Sequence, residues 1–286
     1  NLTEPYECIY GENEPLLSHS YDTYCPILSM NSNEEFNDIS IPTWEDWDRI
    51  SYKYNKFFPK EFRKYKDEFN IPWDNKKNIA VFRGQANGRG IDENTNMRLK
   101  ISKMNYKFLD AGITKINMRP RFINGKLCVI DDTKYDIVNS LTPKEQSEYK
   151  YIINIEGHSV AYRLSYELSM RSVILLVDCK YKLWYSHLLK EYVHYIPVKK
   201  DLSDLIEKIE WCINNDDKCK KITENARQFY DKYLSEEGIY NYPENILNNM
   251  ISESVKPYYK NFSNNYNRML KKYQINILGN KINTNK

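Results

Sequence analysis

Short apolar runs alternate with amphipathic segments along much of this chain. β-Branched and other aliphatic residues fill the runs at 79–82, 150–155, 172–177 and 193–198. The stretches between these runs carry apolar residues at a spacing of three to four, which indicates helices. Strands that alternate with helices are typical of a parallel sheet covered on both faces. The pattern therefore predicts an α/β fold.

The same spacing predicts the remaining elements. A short strand is expected at 126–130, and two longer polar stretches, 45–70 and 243–275, are helical in spacing. A turn-rich segment at 72–78 marks the best candidate for a domain boundary. Shorter helices are predicted near residues 95–110, 142–148, 159–170, 181–190 and 201–212.

Capping residues support two of these helices. Thr43 is placed to cap a helix that begins near Trp44, with Asp46 as the third residue of a capping box. Asp201 or Ser203 is placed to cap the helix before Cys212. These residue types accept hydrogen bonds from the free N–H groups of a first helical turn.

Composition and charge exclude several classes of protein. The chain is 41% hydrophobic and 28% charged, which fits a globular protein and not a disordered one. A net charge of +3 is too small to indicate a nucleic-acid partner. No apolar run approaches the roughly 20 residues of a membrane span. The six cysteines show no Cys-x-x-Cys spacing, so no zinc site is expected.

The segment from Tyr149 to Arg163 carries the most chemical information. An apolar run ends in Asn-x-Glu-Gly at 154–157, and a polar turn leads into a predicted helix with Arg163 in its first turns. A helix N-terminus presents unpaired N–H groups and a positive dipole end, which suit a phosphate. Arg163 would add a bidentate contact to the same anion. The pattern therefore predicts a diphosphate site.

A second strand points to the same edge of the sheet. Arg83 and Gly84 follow the run at 79–82, as Gly157 follows the run at 150–155. Ligands of open parallel sheets bind beyond the carboxyl ends of the strands. Simpler interpretations stay open, since Arg163 would also suit a surface ion pair and His158 a polar turn.

Other polar and aromatic residues have structural interpretations that compete with functional ones. Helix capping explains Glu45 and Asp46 better than catalysis does. His194 is expected to be a core histidine with satisfied hydrogen bonds, within the apolar strand at 193–198. Three tryptophans could stack on a sugar, but large aromatic residues more often build a core; they are Trp44, Trp47 and Trp73.

Several blocks, in this order, carry a resemblance to a known family. They are Pro26-Ile27-Leu28-Ser29, Ile39-x-Ile41-Pro42, Phe82-Arg83-Gly84, Asn96-x-Arg98, Lys150-Tyr151 through Gly157 to Arg163, Ser172-Val173, Val193 to Lys199, Asp201 to Leu205, Asn215-Asp216-Asp217, Ala226-x-x-Phe229 and Tyr233-Leu234. In order and spacing the chain resembles the CAP10-like glycosyltransferases, glycosyltransferase family 90, over about residues 20–250. That family includes protein O-glucosyltransferases and the fungal capsule xylosyltransferase.

The resemblance implies a GT-B architecture of two Rossmann-like lobes with parallel sheets. Residues 1–75 would then be the remainder of a truncated, acceptor-side N-terminal lobe. Residues 76–242 would form the C-terminal lobe that holds the nucleotide-sugar. Residues 243–286 would be helices that pack back on the N-terminal lobe and end in a frayed tail.

The resemblance also implies an inverting transfer from a UDP-sugar, with glucose or xylose expected, to a hydroxyl of a protein Ser or Thr or of a glycan. No metal or other cofactor is expected, so side chains must neutralise the leaving diphosphate. Carried over residue by residue, Arg98 and Arg163 would hold the diphosphate, and Arg83, Gly84 and Gln85 would line the donor site. Backbone N–H groups would come from Gly157, His158, Ser159, Val160 and Ala161.

Two departures from the family pattern qualify this assignment. Gln85 stands where the family more commonly has Ser, so the sugar contacts are expected to differ. The Asn-x-x-Asp-x-Pro block, whose Asp serves the family as catalytic base, is not found, and we expect it upstream of this chain. The alternative is a catalytically inactive module of the same fold that binds a nucleotide-sugar or glycan. Cellular relatives suggest the endoplasmic reticulum lumen, whereas a viral origin would suggest the host cytoplasm.

Overall fold

The computed structural model describes residues 28–34, 38–50, 69, 71–123 and 125–250, with the backbone alone at 122 and 247–250. Contacts divide the chain into two compact units, Asn1–Ile239 and Tyr240–Lys286. The sheet and the candidate site described below belong to the first unit. The predicted domain boundary at residue 75 stays a prediction.

The described residues form short strands and helices in an alternating order. The strands are β1 (Leu28–Ser29), β2 (Ile39–Ser40), β3 (Lys77–Ala86), β4 (Leu109–Ile116), β5 (Arg121–Ile123), β6 (Lys126–Cys128), β7 (Tyr149–Asn154), β8 (Val173–Val177) and β9 (Ile196–Val198). The helices are α1 (Trp44–Ile50), α2 (Met97–Lys103), α3 (Pro143–Ser147), α4 (Leu164–Glu167), α5 (Leu205–Asn214), α6 (Asp216–Phe229) and α7 (Glu236–Met250).

A five-stranded parallel sheet organises the first unit. Its strand order is β4-β3-β7-β8-β9, and every neighbouring pair is parallel. In chain order this is 2-1-3-4-5, the order of a doubly wound sheet that reverses direction between its first and third strands. The reversal lies between β3 and β7, where a ligand site is expected beyond the carboxyl ends. The prediction of an α/β fold with parallel strands is confirmed.

Burial on both faces explains why the strands read as continuous apolar runs. Tyr151 and Ile153 of β7 and Val173 and Leu175 of β8 are fully buried. They belong to one core with Ile209 of α5. Strands covered by helices on both sides have no solvent face, so polar alternation disappears from them. Within the described residues, no helix is long and apolar enough to cross a membrane.

Three predicted helices are corrected by the structure. The segment 95–110 is helical only over α2, and β4 begins at Leu109 as an edge strand of the sheet. The polar residues of this edge strand hid it from a search for apolar runs. The segment 159–170 is helical only over the four residues of α4. Near 181–190 the chain forms a single 3₁₀ turn at Ser186–Leu188.

Several predicted element boundaries also shift. β3 runs through Arg83 to Ala86, β6 ends at Cys128 within a hairpin, and β9 begins at Ile196. α7 begins at Glu236. Within the predicted helical stretch at 45–70, α1 ends at Ile50 and Phe69 lies in a turn. The rest of that stretch and the part of 243–275 beyond Met250 lie outside the described residues.

The capping box at α1 is confirmed. Thr43 N–H donates to Asp46 Oδ2 at 2.9 Å, and Asp46 N–H donates to Thr43 Oγ1 at 3.2 Å. The indole of Trp184 donates to the same Oδ2 at 3.0 Å. Because Trp184 lies in the segment after β8, this bond fastens α1 to that segment.

The predicted caps of α5 are wrong. Asp201 Oδ1 instead accepts from Ser203 N–H at 3.0 Å in a local turn. The helix begins later, after Asp204, whose Oδ1 accepts from Lys199 N–H at 2.8 Å. Cys212, at the end of α5, and Cys219 therefore lie on two successive helices, and Cys219 Sγ donates to the Cys212 carbonyl at 3.5 Å.

Candidate functional site at the carboxyl ends of β3 and β7

The predicted site residues lie where the sheet reverses its strand order. Arg83, Gly84 and Gln85 occupy the last part of β3, and the turn 157–161 follows β7. The expectation that both groups share one edge of the sheet is confirmed by the pairing of β3 with β7. The Gly157 N–H donates to the Ser159 carbonyl at 2.8 Å, which tightens the turn.

Arg98 joins the ends of β3 and β7 through hydrogen bonds to their carbonyls. It is the second residue of α2, whose Asn96 cap accepts from Arg98 N–H at 3.0 Å. Its guanidinium donates at 2.8–3.0 Å to three carbonyls, those of Gln85, Ile155 and Glu156. The side chain is buried, which lowers the pKa of Arg98 to about 9, and the neighbouring Arg163 adds to this effect.

The same contacts bear on the predicted role of Arg98. A guanidinium has five N–H donors, and three of the Arg98 donors are used to hold the strand ends. At most two are left for a ligand. Arg98 therefore holds the strand ends of the site together, and its direct contact with a diphosphate stays a prediction.

Arg163 immediately precedes α4, and its side chain contacts the end of β3. Its Nη1 donates to the Arg83 carbonyl at 2.7 Å, and its Nε lies 2.9 Å from Glu167 Oε1. Its guanidinium also lies over the Phe82 ring, 5.4 Å from the centroid. The ion pair anticipated for Arg163 thus exists, but its partner is fully buried and not on the surface.

Glu167 is the counterion that fixes Arg163. Burial raises the pKa of Glu167, and the charge of Arg163 and a hydrogen bond from Asn154 oppose that shift. The Asn154 amide donates to Glu167 Oε2 at 2.6 Å. The Asn of the Asn-x-Glu-Gly block therefore orients a carboxylate, which in turn orients Arg163.

The helix-dipole argument for this turn is wrong. It required a helix that begins near residue 159, whereas α4 spans four residues and begins at Leu164. A dipole equivalent to a half charge needs several aligned peptide units. Positive charge at this edge of the sheet is therefore supplied by side chains.

A buried arginine from the hairpin of β5 and β6 belongs to none of the sequence motifs. Arg121 opens β5 and is 1% exposed. Its guanidinium donates at 2.8–3.2 Å to the carbonyls of Ala86, Gly88, Asn117 and Arg119. These bonds fasten the loop before β5 to the end of β3. No local sequence signal marks such a residue, because its partners are carbonyls.

The fastened loop lies against the glycine turn. The Asn117 amide donates to Asn87 Oδ1 at 2.8 Å and lies 3.4 Å from His158 Nε2. Burial lowers the pKa of His158 to about 4, and four arginine charges lower it further; in decreasing order they are Arg119, Arg121, Arg98 and Arg89. His158 is therefore neutral at pH 7. The guanidinium groups repel one another.

Glycines allow the loop after β3 to approach this edge closely. Gly88 has a φ of +120°, a conformation that L-residues with side chains rarely adopt. Its carbonyl is one of those held by Arg121. The Gly90 carbonyl accepts from the Asn96 amide at 3.3 Å. The loop therefore depends on glycine for its conformation and on Arg121 and Asn96 for its position.

Gly90→Ala is expected to destabilise the protein by about 1–3 kcal/mol. An added Cβ would lie 2.2 Å from the carbonyl carbon of Thr95, so the backbone must shift. Urea unfolding measures the change. Gly125→Ala is the control for steric contact, since an added Cβ there meets nothing within 4 Å, although its φ of +78° carries strain. Equal losses in the two variants would contradict the steric argument.

Two alternative candidates have structural roles. His194 lies in a turn before β9, where its Nδ1 accepts from Lys190 N–H at 2.9 Å and its ring packs 5.0 Å from that of Phe229. The hydrogen-bonded histidine is thus confirmed, whereas its expected place in a core strand is wrong, because the side chain is only half-buried and lies in a turn. Trp73 donates from its indole to Asp216 at 2.8 Å and packs on Tyr151. Among the described residues, no group of three or more His, Cys, Asp or Glu is placed to hold a metal ion.

The model of the family described as glycosyl transferase family 90 matches residues 13–252. The chain belongs to this family. The family expected from the sequence blocks is therefore confirmed, and with it the assignment to glycosyltransferases.

Relatives of this family 90 chain come from viruses and animals. An uncharacterized protein, 179R, of Invertebrate iridescent virus 6 is 41% identical over 99% of this chain and 28% of its own length. Protein O-glucosyltransferase 3 of Homo sapiens is 28% identical over 81% of this chain and 43% of its own length. Protein O-glucosyltransferase 2 of Danio rerio is 28% identical over 76% of this chain and 41% of its own length. The chain thus spans less than half the length of each.

Proposed function

We propose that this chain supplies the donor site of an inverting, metal-independent glycosyltransferase. The donor is a UDP-sugar, with glucose or xylose as the sugar, and the acceptor is a hydroxyl of a protein Ser or Thr or of a glycan. Membership of family 90 and similarity to proteins named O-glucosyltransferases support this proposal.

One observation carries the donor assignment. Arginines converge on the edge where β3 and β7 end, and two of them, Arg98 and Arg121, are buried with backbone carbonyls as their hydrogen-bond acceptors. The charges of Arg98 and Arg121, together with those of Arg119 and Arg89, all act on His158 in the glycine turn. Because these like charges lie close together, the edge favours a multiply charged anion such as a diphosphate.

The chemistry of transfer explains why such a site is useful. The acceptor oxygen forms a bond to the anomeric carbon of the sugar as the bond from that carbon to the diphosphate breaks. The electron pair leaves with UDP, and the acceptor proton passes to a carboxylate base. Fixed positive groups stabilise the charge that develops on the leaving diphosphate. In this proposal Arg163 is the principal contact and Arg98 holds the strand ends in place.

The acceptor and the base require groups beyond this donor site. The expected Asn-x-x-Asp-x-Pro block would supply the base from the longer protein. A chain that binds UDP-sugars, but whose longer protein shows no transfer to any hydroxyl, would instead be the inactive binding module.

Calorimetric titration tests the donor site. UDP, UDP-glucose and UDP-xylose are titrated into the protein with EDTA present, and we expect micromolar, metal-independent binding. Different affinities for the two UDP-sugars would identify the sugar. If none of the three ligands gives a heat of binding, and none displaces another in a competition titration, the donor assignment is overturned. Binding that is lost in EDTA and restored by Mg²⁺ would overturn metal independence alone.

A further inference from the structure

A second group of charged side chains interacts electrostatically with Arg163. α1 contributes Glu45, Asp46 and Arg49, and α4 contributes Glu167. Asp46 is fully satisfied, since its Oδ1 accepts from Arg49 Nη2 at 3.0 Å and its Oδ2 accepts from Thr43 and Trp184. The bonds of Asp46 fasten α1 against the segment that carries Trp184.

Glu45 differs from its neighbour. Its Oε2 is buried and accepts no hydrogen bond within the described part of the chain. The groups that act on its charge are Asp46 and Arg49 from its own helix, and Arg163 and Glu167 from the other side. Its charge also acts on the buried hydroxyl of Tyr185, which lies next to Trp184.

These surroundings make Glu45 easy to protonate. Burial, followed by the negative charge of Asp46, raises the pKa of Glu45 to about 7, against the attraction of Arg163. With Glu45 ionised, three carboxylates face the two guanidinium groups of Arg49 and Arg163. With Glu45 protonated, the group is neutral. The proton on Glu45 therefore decides how much of the Arg163 charge is already balanced before a ligand arrives.

We propose that Glu45 is a positioning residue that acts through Arg163 and takes up a proton when a diphosphate binds. This inference rests on the proposed donor site. A dianionic ligand at Arg163 adds negative charge close to Glu45, and like charges disfavour ionisation. Ligand and proton therefore bind cooperatively, because each binds more tightly in the presence of the other.

The consequence is a donor affinity that falls as the pH rises through 7. Well below pH 7 Glu45 already holds its proton and the affinity is constant. Above pH 7 the proton must be taken from solvent on binding. Between pH 6.5 and 8 the affinity is expected to fall about fivefold to tenfold by linkage. His158, with a pKa near 4, does not titrate in this range.

Calorimetry in buffers of different ionisation enthalpy counts the proton directly. UDP-glucose and UDP-xylose are titrated in Hepes and in Tris at pH 8, and their affinities are compared at pH 6.5 and 8. UDP itself is avoided, because a terminal phosphate titrates near pH 6. We expect uptake of close to one proton per ligand by the wild type. Glu45→Gln should bind equally well at both pH values without uptake.

Glu224→Gln is the control, because Glu224 is an exposed acid on α6 paired with Lys221 at 3.3 Å. It should retain the proton uptake of the wild type. Binding by the wild type without proton uptake would overturn the role of Glu45 and leave the donor site standing. So would a Glu45→Gln protein that retains the pH dependence. Absence of UDP-sugar binding at both pH values would overturn the donor site and this inference together. The proton count of the wild type decides even where Glu45→Gln does not fold.

Discussion

Arg163→Ala is expected to lower the affinity for the UDP-sugar, and the rate of transfer by the longer protein, by about 10²–10³-fold. The guanidinium is held by the Arg83 carbonyl and Glu167, so it is already oriented when the ligand arrives. A preoriented cation at a developing anion costs little reorganisation. Calorimetry with UDP-glucose and an assay of released UDP measure the two losses. Arg163→Lys should bind more tightly than Arg163→Ala but less tightly than the wild type, because lysine keeps the positive charge and lacks the bidentate geometry of the guanidinium group.

A matched control is available on α6. Arg227 pairs with Asp231 at 3.0 Å with the same i,i+4 spacing as Arg163 and Glu167. Arg227→Ala should leave affinity and transfer unchanged. Full affinity and full transfer in Arg163→Ala would contradict the role assigned to Arg163. Thermal denaturation of each variant separates loss of the site from loss of the fold, since Glu167 is left buried without its partner.

Arg98→Met is expected to destabilise the protein by about 3–5 kcal/mol, the cost of leaving several buried polar groups unpaired. The variant frees the carbonyls of Gln85, Ile155 and Glu156, which Arg98 now holds. Urea denaturation measures the loss, and an m value equal to that of the wild type would show that only the stability has changed. UDP-sugar affinity should fall as well, because the two strand ends are no longer joined.

Arg119→Met distinguishes stability from charge. Arg119 is exposed, and it acts on His158 through its charge. Its replacement should change stability by less than about 0.5 kcal/mol, as surface substitutions do, while it weakens UDP-sugar binding. Equal losses of stability in Arg98→Met and Arg119→Met would contradict the distinction between a buried arginine that joins the strands and an exposed one that supplies charge.

The contrast between Arg98 and Arg163 concerns what a motif can predict. Both were assigned to a diphosphate on the basis of family blocks. In the structure, Arg98 donates to three carbonyls, whereas Arg163 donates to two carbonyls and is balanced by a buried glutamate. The blocks located both residues at the correct edge of the sheet. They did not contain the identity of the carbonyl partners, because those carbonyls come from other parts of the chain, although Glu167 lies only one helical turn from Arg163.

Local physical chemistry determined much of the fold in advance. The apolar runs became β3, β7, β8 and β9, because residues buried on both faces of a sheet cannot be polar. The capping box at Thr43 and Asp46 formed as expected, since both partners lie within one helical turn. The edge strand β4 and the shortness of α4 were missed, because tertiary contacts override local propensity there.

By itself, then, the sequence determined the alternation of strands and helices, the family and the edge of the sheet at which the glycine turn lies. Only the tertiary structure decided how that edge is charged. Arg121 comes from a hairpin without a motif, and Glu45 comes from a helix that Asp46 fastens to Trp184. Electrostatic energy depends on distance in space and on burial, and neither is encoded by spacing along the chain. The electrostatic environment of this edge is therefore established only when the strands are brought together.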